Sequence, residues 1–331
     1  MTYSSQGLIQ ATDYNTFVST GTPNINAIWN TGSTDSGWGQ TGVGTVSTGG
    51  TVTATQWASL VNTLSSMGSQ TGTTITARAA PTAGTTIAVL AAVATDITNC
   101  NTNRGNAVGS GTTSSTWTGA IAKTTATGTA QGSWTVTFTH TVTFPTADQA
   151  RYFWNGGGLI RLDMSKSSTG TDADPDWNTF IGTVGTLYLS GRVNNAAQTI
   201  AAVSYTGLTR SGGTGTPSPN LTTTGWYTLV AGAAATTMFQ LNSVTAPYTS
   251  NYVRVTMAKN AGATALTITT TWFSNGTAAA GTTSNISGGT DTASPYTVFG
   301  TAPAVLVRFV PPSTTYLSNS WGTPTIAATA A

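Results

Sequence analysis

From Trp134 to Phe144 the chain alternates without a break. Trp134, Val136, Phe138, His140, Val142 and Phe144 fall on one side, and Thr135, Thr137, Thr139, Thr141 and Thr143 on the other. Successive side chains of a strand point to opposite faces, so a strict period of two specifies a β-strand with an apolar face and a threonine face. A slip of one residue would put the aromatic row into solvent, so the pattern fixes the register as well. Threonine suits the outer face because its β-branch favours extended backbone and its hydroxyl stays wet without carrying charge.

The same alternation recurs. Ile160, Leu162 and Met164 interleave with Arg161 and Asp163, and alternation resumes near Val203 and Tyr205. Further strands are expected over Trp226–Val230, Tyr252–Ala258, Leu266–Trp272 and Ala304–Val310. Strands at this spacing, separated by glycine-rich turns, predict a mainly β protein built as β-sandwich or jelly-roll-like domains. No period of 20–50 residues recurs, which argues against a solenoid or propeller.

The N-terminal region departs from this period. Thr12 or Asp13 is placed to cap a short helix reaching Val18. Trp57, Leu60, Val61, Leu64 and Met67 have helical spacing behind Thr53 or Thr55 as the cap. A second helix is expected from about Gly84 to Asn103, with Ile87, Leu90, Ala91, Ala94 and Ile97 on one face. Farther on, Ala147–Trp154 reads as a short helix ended by Gly156, Gly157 and Gly158. Trp177, Phe180, Ile181 and Val184 read as another, capped by Asp176. Three regions result: 1–110, a mixed, partly helical anchoring or oligomerisation region; 111–215, a β-rich domain with short helices; and 216–331, a β-sandwich-like C-terminal domain. The Gly/Ser/Pro/Thr stretch from Ser211 to Asn220 marks the second boundary.

Charge is nearly absent. Only 6% of the 331 residues are charged, against roughly a quarter in an ordinary soluble protein. Threonine takes their place at roughly a fifth of the chain, while 38% of residues are hydrophobic, enough for a substantial core. The net charge of +2, spread over scattered basic residues, gives no footprint for nucleic acid. No apolar run of about 18 residues exists, so no membrane insertion is expected. The single cysteine, Cys100, forms no internal disulfide and reads as a small core residue. The first residues lack a basic and an apolar segment, so no secretory signal is expected there.

Catalytic residue types are scarce. Glutamate is absent and His140 is the only histidine. His140 lies in register with the apolar face of its strand and has no Gly-x-Ser-x-Gly elbow nearby, so a structural role is expected. Asp172, Asp174 and Asp176 alternate and are the weak candidates for metal ligands. Pro175 interrupts them, and no glutamate supplies the bidentate ligand of a calcium loop, so no metal is assigned. Asp163 with one of these could in principle form a glycosidase pair. The glycine run 156–158 follows a helix, the reverse of a phosphate loop, and reads as a C-cap and turn. No catalytic residue, cofactor or cofactor site is assigned. Of the ten tryptophans, Trp38, flanked by Gly37 and Gly39, is the candidate for an exposed ring that contacts glycan.

Two stretches carry a resemblance. One runs Trp38-Gly39-Gln40, then Val52-Thr53-Ala54-Thr55-Gln56-Trp57, and continues to Asn103-Arg104. The other is Phe144-Pro145-Thr146-Ala147-Asp148-Gln149-Ala150-Arg151-Tyr152-Phe153-Trp154-Asn155-Gly156-Gly157. Together they resemble structural virion proteins of tailed bacteriophages, over less than half of the chain. The resemblance implies a virion component that acts through assembly and not catalysis. The resemblance implies no particular position in the virion; the tail is the chain's expected place, as a fibre, at the baseplate periphery, or at the neck and collar. Its expected partners are copies of itself, with a trimer favoured, and other virion proteins. It would assemble in the host cytoplasm and meet the exterior as part of the particle. The competing expectation is a carbohydrate-binding adhesin that recognises a host-surface glycan.

Overall fold

The computed structural model describes residues 10–82, 90–116, 118–123, 125–128, 134–166, 173–191, 198–200, 203–205, 207–246, 248–275, 296–297 and 302–331. Helices are α1 (Ala11–Asn15), α2 (Ile25–Trp29), α3 (Ala54–Thr71), α4 (Leu90–Thr102), α5 (Ala147–Asn155) and α6 (Ala173–Val184). Strands are β1 (Thr118–Ala122), β2 (Thr125–Gly128), β3 (Trp134–Thr143), β4 (Leu159–Ser165), β5 (Thr186–Leu189), β6 (Gln198–Ile200) and β7 (Val203–Tyr205). They continue as β8 (Leu208–Ser211), β9 (Thr236–Asn242), β10 (Tyr252–Lys259), β11 (Ala265–Ser274), β12 (Tyr296–Thr297), β13 (Ala304–Val310) and β14 (Thr325–Ala330).

The protein is mostly β with a helical N-terminal region. One sheet has the order β1-β13-β4-β5-β8; the other has the order β12-β2-β3-β11-β10-β9, with β14 also on β3; β6 and β7 pair separately. The pairings between these strands are antiparallel. β3 forms as its alternation requires: its apolar row is buried and its threonine row faces outward. β11 pairs along its whole length, from Ala265 opposite Thr143 to Ser274 opposite Trp134. The opposite edge of β3 is shared between β2, at Thr135 and Trp134, and β14, at Phe138 through Thr143.

One continuous core runs from Tyr14 and Phe17 in the helical region to Phe309 and Trp321 near the C-terminus. Strands from 111–215 and from 216–331 interleave in both sheets. The stretch from Ser211 to Asn220 is therefore not a boundary between separate sandwiches. Ser218 N–H bonds to Gln240 O and Gln240 N–H to Pro219 O, so part of this stretch covers the outer edge of β9. The segment Trp226–Val230, expected to be a strand, instead turns back on itself, with Thr228 and Leu229 N–H both bonding to Gly225 O. Its apolar residues reach the core from a turn.

The helices begin where short polar side chains satisfy their free N–H groups. Thr53 opens α3 in a reciprocal capping box: its Oγ1 accepts from Gln56 N–H, and Gln56 Oε1 accepts from Thr53 N–H. Gly72, at φ 62°, closes the same helix. Thr146 caps α5 by accepting from Gln149 N–H. Two expected caps are not used. α1 starts at Ala11, behind Gln10, whose side chain makes no capping bond. α6 starts at Ala173, which places Asp176 inside the helix. Pro175 is tolerated in that first turn because its missing N–H would have no partner there. The start expected for α4 near Gly84 lies outside the described residues.

Candidate functional site

Asp176 is the nearest approach to a reactive group on a cleft. It is only 8% exposed and sits on α6 beside the β9–β10 turn. Its Oδ1 accepts from Ser243 Oγ at 3.4 Å, while Oδ2 has no partner. Burial raises its pKa, and the hydroxyls of Thr245 and Ser243 act in the opposite direction. A neighbouring cleft of about 240 Å³ is lined by Thr179, Phe180 and Thr183 of α6, Thr216, Asn242 and Ser243, among others. Its walls are uncharged. Of the other metal-ligand candidates, Asp172 lies outside the described residues, and Asp174 falls in the first turn of α6. Among the described residues, no three His, Cys, Asp or Glu side chains come together as a metal site.

Asp163 is engaged elsewhere. Arg161 Nε lies 2.8 Å from its Oδ2 and Arg308 Nη2 3.5 Å, and Thr186 Oγ1 donates to Oδ1 at 3.0 Å. It forms a cross-strand charge cluster on β4, β5 and β13.

His140 is fully buried in the space between the sheets. Both ring nitrogens lack a hydrogen-bond partner. Burial pushes its pKa down to about 4, and the backbone of Gly119 and Val305, which approaches without reaching hydrogen-bond geometry, offsets part of this. The ring is therefore neutral at neutral pH.

Trp38 does not offer an exposed ring. It is 1% exposed and meets Trp29 edge-on, with centroids 6.0 Å apart. Gly37, at φ 95°, and Gly39, at φ 67°, turn the chain inward around it, and the glycines expected to leave the indole open instead bury it. Its carbonyl accepts from Ser320 Oγ at 2.6 Å, and Gln40 bonds in both directions with Ser318.

The segment around Trp38 meets α5 here. Asn155 Nδ2 donates to Gly37 O at 3.1 Å, Arg151 Nη2 donates to Thr31 O at 2.7 Å, and Gly39 lies against the Tyr152 ring. Tyr227 Oη closes the junction by donating to Asn155 Oδ1 at 2.8 Å. Beneath it, Phe144 gathers Phe153, Trp154, Trp226 and Phe309 within 5.2–6.2 Å. Trp154 and Trp226 stack at 5.5 Å, and Lys259 places its ammonium over Trp226 while donating to that residue's carbonyl at 2.8 Å. Burial lowers the Lys259 pKa. This lysine's place was not legible beforehand, because nothing local marks a cation destined for an aromatic hub.

Outside, the large sheet carries threonines in register. Thr329, Thr139, Thr269, Thr256 and Thr237 are ladder neighbours across β14, β3, β11, β10 and β9. Beside them run Ala327, Thr141, Thr267 and Ala258, and on the other side Thr137, Thr271, Arg254 and Gln240. Neighbouring strands place such side chains about 4.8 Å apart, and alternate residues along a strand about 6.8 Å apart. Arg254 is the one charge in these rows, and Gln240 accepts its Nε–H at 2.8 Å. Compared with family models, characterised proteins and solved structures, the chain shows no match.

Proposed function

We propose that the chain is a structural component of a tailed-bacteriophage virion, tail-associated in the fibre, baseplate periphery or neck, and acting through assembly. The observation that carries this reading is the junction between the two phage-like stretches. Tyr152 of the second stretch lies beneath Gly39 of the first, and Asn155 and Arg151 bond to Gly37 and Thr31 just upstream of it, so the helical region is locked to the sandwich. A rigid joint of this kind suits a part that bears load between neighbours.

Two further features support the reading. Two groups of the kinds used in acid–base chemistry are held inside the fold, His140 between the sheets and Asp176 behind Ser243. The broad outer sheet face is paved with short hydroxyl side chains, which order with little loss of rotamer freedom compared with lysine or glutamate. The adhesin alternative loses its aromatic platform with the burial of Trp38. The test is mass spectrometry of purified particles of the virus that encodes the chain, followed by tracing it in an electron-microscopy map. The chain is expected at stoichiometric copy number on a symmetry axis of the tail. Its absence from purified particles would overturn the reading.

A further inference from the structure

β14 is joined to the rest of the fold through Gly322. The segment leading to it is tied down as far as Trp321: Leu317 and Trp321 are buried, and Ser318 and Ser320 bond to Gln40 and to the Trp38 carbonyl. Gly322 follows, at φ 69°, and Pro324 immediately precedes β14. Gly322 permits a backbone rotation that other residues resist. β14 then lies along one edge of β3, and Ala331 and Thr137 exchange two backbone bonds of 2.8 Å at its end.

The arm is lightly held. Its inward side chains are Ile326, Ala328 and Ala330, all only half-buried, whereas the β3 residues beside them, Val142, His140 and Phe138, are completely buried. Its chief apolar contact is Ile326 over Gly119 of β1. A Cβ on Gly119 would lie 2.5 Å from Ile326 Cγ2 and 3.4 Å from His140 Cδ2, so the glycine is what lets β1, β14 and the histidine ring close on one another.

His140 is therefore at the meeting point of the arm and both sheets. Ala328 is its ladder neighbour on one side and Ile268 on the other, with Gly119 and Val305 across from it. Among the described residues, no anion is placed to accept a charge on this ring. β1, β11 and β14 carry no ionisable side chain, and β3 carries none besides His140. β13 carries only Arg308, which alternates to the opposite face and pairs with Asp163. A buried polar ring with neither nitrogen bonded is an unusual occupant of an inter-sheet core. A hydrocarbon of similar size would pack there without that penalty.

We propose that His140 and β14 form an acid-sensitive latch, in which protonation of His140 releases the C-terminal strand from the edge of β3. Release lets solvent reach the ring and leaves the β3 edge from Thr137 to Thr143 with unpaired backbone groups. β14 yields before the other strands around the ring because, among the described residues, it is bonded along one edge, and because small side chains face inward. β3, by contrast, is paired on both sides. The direction follows from linkage. The closed form holds the ring near pKa 4 and the open form returns it to about 6.5, so opening binds a proton and becomes easier as pH falls through that window.

Hydrogen exchange of the whole chain, resolved to individual peptides and corrected for the intrinsic pH dependence of exchange, tests the latch. Between about pH 7.5 and about pH 4.5 the opening constant for residues 325–331 and for the facing β3 amides should rise on the order of fiftyfold. The β10–β11 amides should keep their protection. In His140→Phe, or in His140→Leu should the larger ring disturb folding, that rise should disappear. An equal rise in the variant, no rise in the parent chain, or simultaneous loss of protection in all strands would overturn the proposal. The parent chain offers a second readout: its single histidine gives one unambiguous pair of ring C–H resonances. A midpoint well below the ordinary value is expected, and an unshifted midpoint with β14 still protected would overturn the latch.

Discussion

Gly39 sits on the face of Tyr152 so closely that a Cβ at position 39 would lie 2.4 Å from the ring carbon Cδ2. The backbone there is also left-handed, at φ 67°. Both features follow from packing the Trp38 loop on α5. Gly39→Ala should destabilise the protein by about 2–4 kcal/mol, through left-handed strain and overpacking together. Tyr152→Leu should remove part of the penalty, so the double variant should be more stable than the sum of the single changes implies. Denaturant midpoints for the four proteins measure this coupling.

Trp154 touches Phe144 and Phe153 and stacks on Trp226, so it couples α5, β3 and the turn at Gly225. Trp154→Ala should cost about 3–5 kcal/mol, at the upper end for a core deletion, because the rings around the cavity belong to different elements and cannot collapse together. Thermal unfolding should remain a single transition shifted downward, since one core spans the helical region and both sheets.

The capping box at the start of α3 gives a smaller effect. Thr53→Ala leaves Gln56 N–H without its Thr53 acceptor and should lower stability by about 1 kcal/mol. Thr53→Ser should retain most of it. Chemical denaturation distinguishes the two.

Asp176→Asn separates burial from charge. The Asp176 pKa is raised in the folded state, so the unfolded chain releases its proton first, and stability falls as pH rises from about 3.8 through the folded midpoint. Asparagine keeps an oxygen for Ser243 and does not titrate. The stability of Asp176→Asn relative to the parent should therefore increase with pH across that window and level off above it. Melting temperatures of the pair, measured side by side from about pH 3.5 to about pH 7, give the profile. A difference that shrinks with rising pH would reverse the assignment.

Local pattern carried much of the fold. The Trp134–Phe144 alternation specified β3 and its inner face, helical spacing behind Thr53 or Thr55 specified α3, and the run Ala147–Trp154 with its glycines specified α5 and its end to within a residue. These succeed because period and capping are short-range properties. Trp226 and Leu229 misled because a buried apolar pair reads alike in a strand and in a turn folded onto the core. Asp176 misled because an aspartate before an apolar helical run looks like a cap, although the helix starts earlier. Of the candidate sites, His140 was legible as an inward residue, but its unbonded nitrogens and its place beneath β14 were not.

Sequence alone determined a β-rich, threonine-faced and weakly charged protein with a partly helical beginning, because alternation and composition act residue by residue. Only the tertiary structure decided that strands from both halves share each sheet and that Trp38 is buried on Trp29. It also decided that the Trp38 loop locks onto α5 and that the C-terminal strand closes over the lone histidine. Those outcomes depend on residues far apart in the chain competing for the same interior. Gly39 admits Tyr152, and Gly119 admits both Ile326 and the His140 ring, through contacts that local sequence does not encode.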